Sequence, residues 1–95
     1  MEFEFSSTLI EWRGPAPFVF APVPPEVAEE IKSIASRVTY GWGVIPVTLT
    51  LGETKVTTSL FPRQGSYLVP IKIVIQRAEG VTIGDEVSVK LTIDC

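Results

Sequence analysis

The sequence predicts a mainly β domain, a small closed or partly open barrel of about six strands with one α-helix as a lid. Three observations carry this prediction. Apolar residues alternate with polar ones over several segments, most cleanly at Val87, Val89, Leu91 and Ile93, which is the period of a half-buried strand. One segment alone, after Pro24-Pro25, carries the spacing of an amphipathic helix. Gly- and Pro-rich punctuation cuts the rest into short runs, the turn spacing of a small barrel or sandwich. A barrel is preferred because closure hides the edges that such apolar strands would otherwise expose.

Residues 2–13 open the chain with Phe3, Phe5 and Leu9 on one face and Glu2, Glu4, Ser6 and Thr8 on the other. Ile10 and Trp12 then fall on the polar face, so a bulge or barrel corner that swaps the faces is expected there. Gly14-Pro15-Ala16-Pro17 ends the strand. A short apolar strand follows over residues 18–23, with Pro22 marking an edge or a strand end. Pro24 and Pro25 suit a first helical turn, whose N–H groups lack partners in any case. From residue 26 to about residue 37, Val27, Ile31, Ile34, Ala35 and, just beyond, Val38 form one apolar stripe. Glu26, Glu29 and Glu30 near the start, with Lys32 and Arg37 later, match the helix dipole.

Tyr40-Gly41-Trp42-Gly43 reads as a turn around one large aromatic. Ile45, Val47, Leu49 and Leu51 then alternate with Val44, Pro46, Thr48 and Thr50. Gly52-Glu53 suits a two-residue hairpin turn, and residues 54–60 return as its second strand. Phe61-Pro62-Arg63-Gln64-Gly65 reads as a connection, and residues 66–76 as one long, nearly apolar strand with Lys72 inside it. Glu79-Gly80 is another turn, residues 81–85 a tight segment, and the alternating run to Ile93 the last strand.

The 95 residues suit a single domain, 1–95, able to bury one modest core. With 45% apolar and 20% charged residues the chain falls in the ordinary globular range, away from disorder. Mean hydropathy is +0.32, high enough to point to strands buried on both faces or to a subunit interface. Charges or prolines interrupt every apolar run well short of the ~20 residues a membrane helix needs, so no membrane partner is expected. Glu2 and Glu4 stand where a secretory leader would be basic. The formal net charge is −3, and the eight Lys and Arg are scattered, which disfavours nucleic acid as a partner. One Cys, Cys95, and no His leave neither an internal disulfide nor the usual zinc sets. A cytoplasmic location, no metal and no cofactor are the expectations.

Several segments together resemble one family: Phe3-x-Phe5 with Leu9; Trp12-x-Gly14-x-Ala16-Pro17-Phe18-x-Phe20; Val23-Pro24 before Glu26-Val27; Gly41-Trp42-Gly43; Thr58-Ser59-Leu60-Phe61-Pro62; Gly65-x-Tyr67-Leu68-x-Pro70-Ile71-Lys72; and Glu79-Gly80-Val81-x-x-Gly84-Asp85-x-Val87-x-Val89. This set is similar to the bacterial domain of unknown function DUF1905. Its most specific block runs from Thr58 to Lys72; Phe18 departs from the Trp often found there. Some relatives are fused to a helical YdeI/OmpD-associated domain. The resemblance implies a small β-barrel with one helix and brings no established activity.

Candidate chemistry centres on the block around Lys72. A Lys within an aliphatic run either snorkels to a rim, pairs with a carboxylate such as Glu11 or Asp85, or meets an anionic ligand. Ser59 with Lys72 imitates a nucleophile–base pair, although hydroxyls near a strand end more often bond the local backbone. Trp12, Phe18, Phe20, Trp42, Phe61 and Tyr67 are many large aromatics for this length. They serve either as core plugs or as the walls of a pocket to which Arg13, Arg63 or Lys72 adds polar specificity. The preferred expectation is a non-enzymatic ligand-binding or protein-interaction module with an aromatic and basic cleft. Its candidate residues are Trp12, Arg13, Trp42, Thr58, Ser59, Phe61, Arg63, Tyr67 and Lys72, with no catalytic residue assigned. The partner is then a small molecule or a protein, and a homodimer is compatible with the composition. The alternatives are an enzyme using Ser59 and Lys72, and an AbrB-like DNA-binding dimer suggested by Gly84-Asp85 but opposed by the acidic Glu79, Asp85 and Glu86 around it.

Overall fold

The computed structural model describes residues 1–12, 18–38 and 45–93, and of these the side chains of residues 12 and 35–38 lie outside the description. The elements are β1 (Glu2–Thr8), β2 (Ile10–Trp12), β3 (Phe18–Pro22), α1 (Pro25–Val38), β4 (Ile45–Leu51), β5 (Thr54–Arg63), β6 (Ser66–Pro70), α2 (Ile73–Glu79) and β7 (Glu86–Thr92). All pairings are antiparallel, in the order β1-β7-β4-β5-β6-β3-β2. The sheet curls strongly into a half-barrel, as expected of a mainly β barrel-like fold. Alternation places Phe3, Val47, Leu49, Leu60, Val69, Val89 and Leu91 on the concave face, where they form one core with Ile31 and Ile34 of α1.

Strand β1 does not run on through residues 2–13. It bends at Leu9, whose N–H donates to the Asp85 carbonyl at 2.9 Å and whose carbonyl accepts from Gly84 N–H at 2.8 Å. The chain then leaves β7 and continues as β2 beside β3, which is the corner the sequence predicted. The faces, however, do not swap. Leu9 is buried and Ile10 is 36% exposed, opposite Phe20 on the convex face.

Prolines decide where the ladders stop. Ile71 N–H donates to Val19 O at 2.8 Å and Val23 N–H to Tyr67 O at 3.0 Å. Antiparallel alternation therefore turns the nitrogens of Pro22 and Pro70 away from each other, one toward β2 and the other toward β5. Neither has a proton to give. The β5–β6 register accordingly ends at Phe61↔Leu68, short of Ser59 and Pro70, and the β2–β3 register ends at Ile10↔Phe20. The seam between β1 and β3 is tied by a side chain instead. Ser7 Oγ donates to the Pro22 carbonyl at 2.7 Å, and Ser7 is buried.

Of the predicted stripe of α1, Ile31 and Ile34 are buried and Val27 packs against the core, the side chains of Ala35 and Val38 lie outside the described residues, and Ala28, not foreseen, is buried as well. The 61–65 connection and the 66–76 strand both need correction. Phe61, Pro62 and Arg63 belong to β5, and the turn is confined to Gln64 and Gly65, at φ 47° and 79°. The 66–76 strand stops at Pro70, and residues 73–79 form a second helix. Lys72 stays extended, while its carbonyl accepts from the N–H groups of Ile75 (3.0 Å) and Gln76 (3.1 Å). Gln76 Nε2 donates back to the Ile71 carbonyl at 2.9 Å. Gly80 ends the helix in the left-handed region at φ 65°, which glycine reaches without a Cβ penalty. A short apolar run has no periodicity that separates strand from helix. The missing N–H of Pro70 and the burial of Ile71 and Ile75, spaced i, i+4, decide it.

Candidate functional site

The early stop of the β5–β6 ladder opens a cleft. Beyond Leu68, β6 turns away toward α2 while β5 continues, and a hollow of ≈ 380 Å³ is left between them. Phe18, Val19, Pro70 and Ile71 line one part of it, Thr58, Ser59 and Phe61 another, and Lys72 stands at the margin. Phe18 is 55% exposed and Phe61 44%, unusually open for rings of this size. Phe18 is steadied by Phe20, ring centroids 6.3 Å apart and planes tilted by 56°, a favourable aromatic geometry.

Two further hollows adjoin the cleft. One of ≈ 540 Å³ shares Phe18, Val19, Ile71 and Lys72 with it and adds Glu11, Ile73, Gln76 and Ile83. The other, of ≈ 230 Å³, shares Phe61 and adds Phe20, Pro62, Arg63 and Leu68. Ile10, Phe18, Phe61, Ile73, Val74 and Ile83 are all exposed. Of these, Phe18, Phe61, Ile73 and Ile83 line the hollows, and grouped exposed apolar side chains are a feature of interaction sites.

Polar groups along the cleft are few and available. The salt bridges Lys90–Glu2 (3.0 Å) and Lys32–Glu29 (3.5 Å) engage other lysines. The Lys72 side chain is exposed and bonds no protein group among the described residues. The Ser59 and Thr58 hydroxyls, half-buried, likewise bond no other side chain or carbonyl there, and no hydrogen bond joins Ser59 to Lys72. A separate hollow of ≈ 510 Å³ lies over β1, β4 and β7, lined by Glu4, Ser6, Thr50 and Ser88 among others. Among the described residues its single lining cation, Lys90, is already held by Glu2, which raises the Lys90 pKa through their hydrogen bond. Among the described residues no group of acidic, Cys or His side chains is placed to hold a metal ion.

Of the residues singled out from the sequence, Thr58, Ser59, Phe61 and Lys72 meet in this cleft, and Arg63 lines the adjoining hollow beyond Phe61. Tyr67 does not join them. It alternates inward with Val69, is 6% exposed and belongs to the core, where burial pushes its phenol pKa up. Arg13, Trp42 and the Trp12 side chain lie outside the described residues. Sequence reasoning left out Phe18, Val19, Pro70 and Ile71 as site residues. The available signal was a Phe18-x-Phe20 pair on a strand edge, together with a Pro that ends a ladder.

The fold and cleft define a small curled antiparallel half-barrel that carries an apolar groove on its convex side. This chain belongs to the family described as Domain of unknown function (DUF1905), whose model matches residues 5–91, nearly the whole chain. No curated protein matches the chain. Among the described residues no helix is long and apolar enough to cross a membrane.

Proposed function

We propose that this domain is a non-enzymatic binding module whose Phe18–Phe61 cleft takes a small amphipathic anion. The single observation behind this reading is Lys72: a cation without a partner among the described residues, lining an otherwise apolar and aromatic hollow, with two hydroxyls nearby that bond no described side chain or carbonyl. Apolar walls with a few polar groups are the usual composition of a small-molecule site. The aromatic rings provide area for a flat or aliphatic body. The ammonium meets a carboxylate, and Ser59 and Thr58 donate to its oxygens.

Phenylacetate is the simplest probe with both features. Calorimetric titration of the full chain should give one saturable site, and ligand at 100 times its dissociation constant should add about 2.7 kcal/mol to stability. Lys72→Gln should weaken phenylacetate and leave the neutral analogue phenylacetamide unaffected. Equal affinity for both probes in the unmodified protein would refute an anion site at Lys72.

A further inference from the structure

The geometry points to a long-chain ligand: a monoanionic acyl amphiphile whose carboxylate sits between Lys72 and Ser59 while its aliphatic tail lies in the adjoining hollow toward Ile73 and Ile83. This inference rests on the binding-module reading and narrows it to a ligand class.

Lys72 stands where the two hollows meet, and it lines both. Among the described residues it is the single cation lining either of them, so one anionic group is matched there. The hollows on its two sides differ. The ≈ 380 Å³ cleft offers hydroxyls beside the rings, whereas the ≈ 540 Å³ hollow is floored by Ile71 and walled by Ile73 and Ile83. Gln76 lines the larger hollow too, but its Nε2 is already committed to the Ile71 carbonyl at 2.9 Å. Polar donors are thus available on the cleft side and scarce on the other.

Exposure points the same way. Ile73, on α2, is 63% exposed and Ile83, in the turn before β7, is 45% exposed, and both line one hollow. A short aromatic acid would fill the cleft and leave both uncovered. An aliphatic chain continuing from a carboxylate on Lys72 covers them, and each covered methylene contributes favourably by leaving water.

Calorimetry of the full chain with hexanoate, octanoate and decanoate, each below its micelle concentration, tests this. Affinity should rise at one equivalent, by up to about fourfold for each added methylene. Ile73→Ser and Ile83→Ser alter exposed positions without adding charge beside Lys72, so both variants should fold. They should flatten the chain-length series while leaving phenylacetate affinity unchanged. Lys72→Gln should remove the preference for decanoate over decanol. Chain-length-independent binding in a protein that still binds phenylacetate would overturn the acyl inference alone. Failure to bind phenylacetate or any of the alkanoates would overturn the binding-module reading with it. Several weak equivalents of decanoate, unaffected by the Ile73 and Ile83 variants, would show non-specific adsorption and overturn the tail site.

Discussion

Replacing Ser7 by Ala removes one oxygen and tests how the half-barrel is held at its seam. Strands β1 and β3 share no backbone register, and Pro22 cannot supply the N–H that would begin one. The Ser7 hydroxyl, donating to the Pro22 carbonyl at 2.7 Å, takes that place in a buried setting. The substitution therefore loses a hydrogen bond and leaves a carbonyl without it, which costs about 1–3 kcal/mol. In a domain of this size each kcal/mol lowers Tm by roughly 4–8 °C. Ser66 is the matched control. Its hydroxyl donates to the Val23 carbonyl at 3.1 Å in a half-buried position that water can reach, so Ser66→Ala should cost less. Urea melts of the two variants, read by far-UV circular dichroism, supply the comparison. A Ser7→Ala loss equal to or smaller than that of Ser66→Ala would refute the seam argument.

Three other outcomes are expected. Ile31 is fully buried under α1, so Ile31→Ala should cost about 2–5 kcal/mol, whereas Glu29→Ala on the exposed side should cost little; urea melts of both check this. Lys72→Met should change stability by no more than about 0.5 kcal/mol, because no buried carboxylate depends on it, and a loss of roughly 3–5 kcal/mol in the same melts would reveal a buried pair. Burial raises the Tyr67 pKa above its ordinary value near 10. The folded state thus holds the phenol proton more tightly than the unfolded chain. That contribution is complete below about pH 10 and is lost as pH rises through the folded pKa. Between pH 9 and pH 11.5 the unmodified protein should lose more stability than Tyr67→Phe, and parallel losses would contradict the assignment.

The strands and α1 were legible in the sequence because each has one buried face and one exposed face, and a period of two or of 3.6 records that directly. The same logic failed where burial was not periodic. Ile71-Lys72-Ile73-Val74-Ile75 carries strand-forming residues throughout, yet only Ile71 and Ile75 are buried, because Pro70 ends the ladder and the chain turns into α2. Ile10 looked like a face swap because an apolar residue on a convex face was not anticipated. Exposed Phe18 and Phe61, which line the groove, likewise serve no core. Ser59, Phe61 and Lys72 stand out on a reading of 61–65 as a connection and 66–76 as a strand, and they line one cleft although both parts of that reading needed correction. The part played by Phe18 and Pro70 depended on which nitrogens face which strand, and a single sequence does not specify that register.

The most direct test of the cleft is amide mapping by ¹⁵N-labelled NMR during titration with phenylacetate. The largest shift changes should fall on Phe18, Val19, Ser59, Phe61, Ile71 and Lys72, saturating at one equivalent, while Glu4, Ser88 and Lys90 on the opposite hollow stay still. Changes centred on Glu4, Ser88 and Lys90, or no saturable change anywhere, would contradict a ligand site at Lys72.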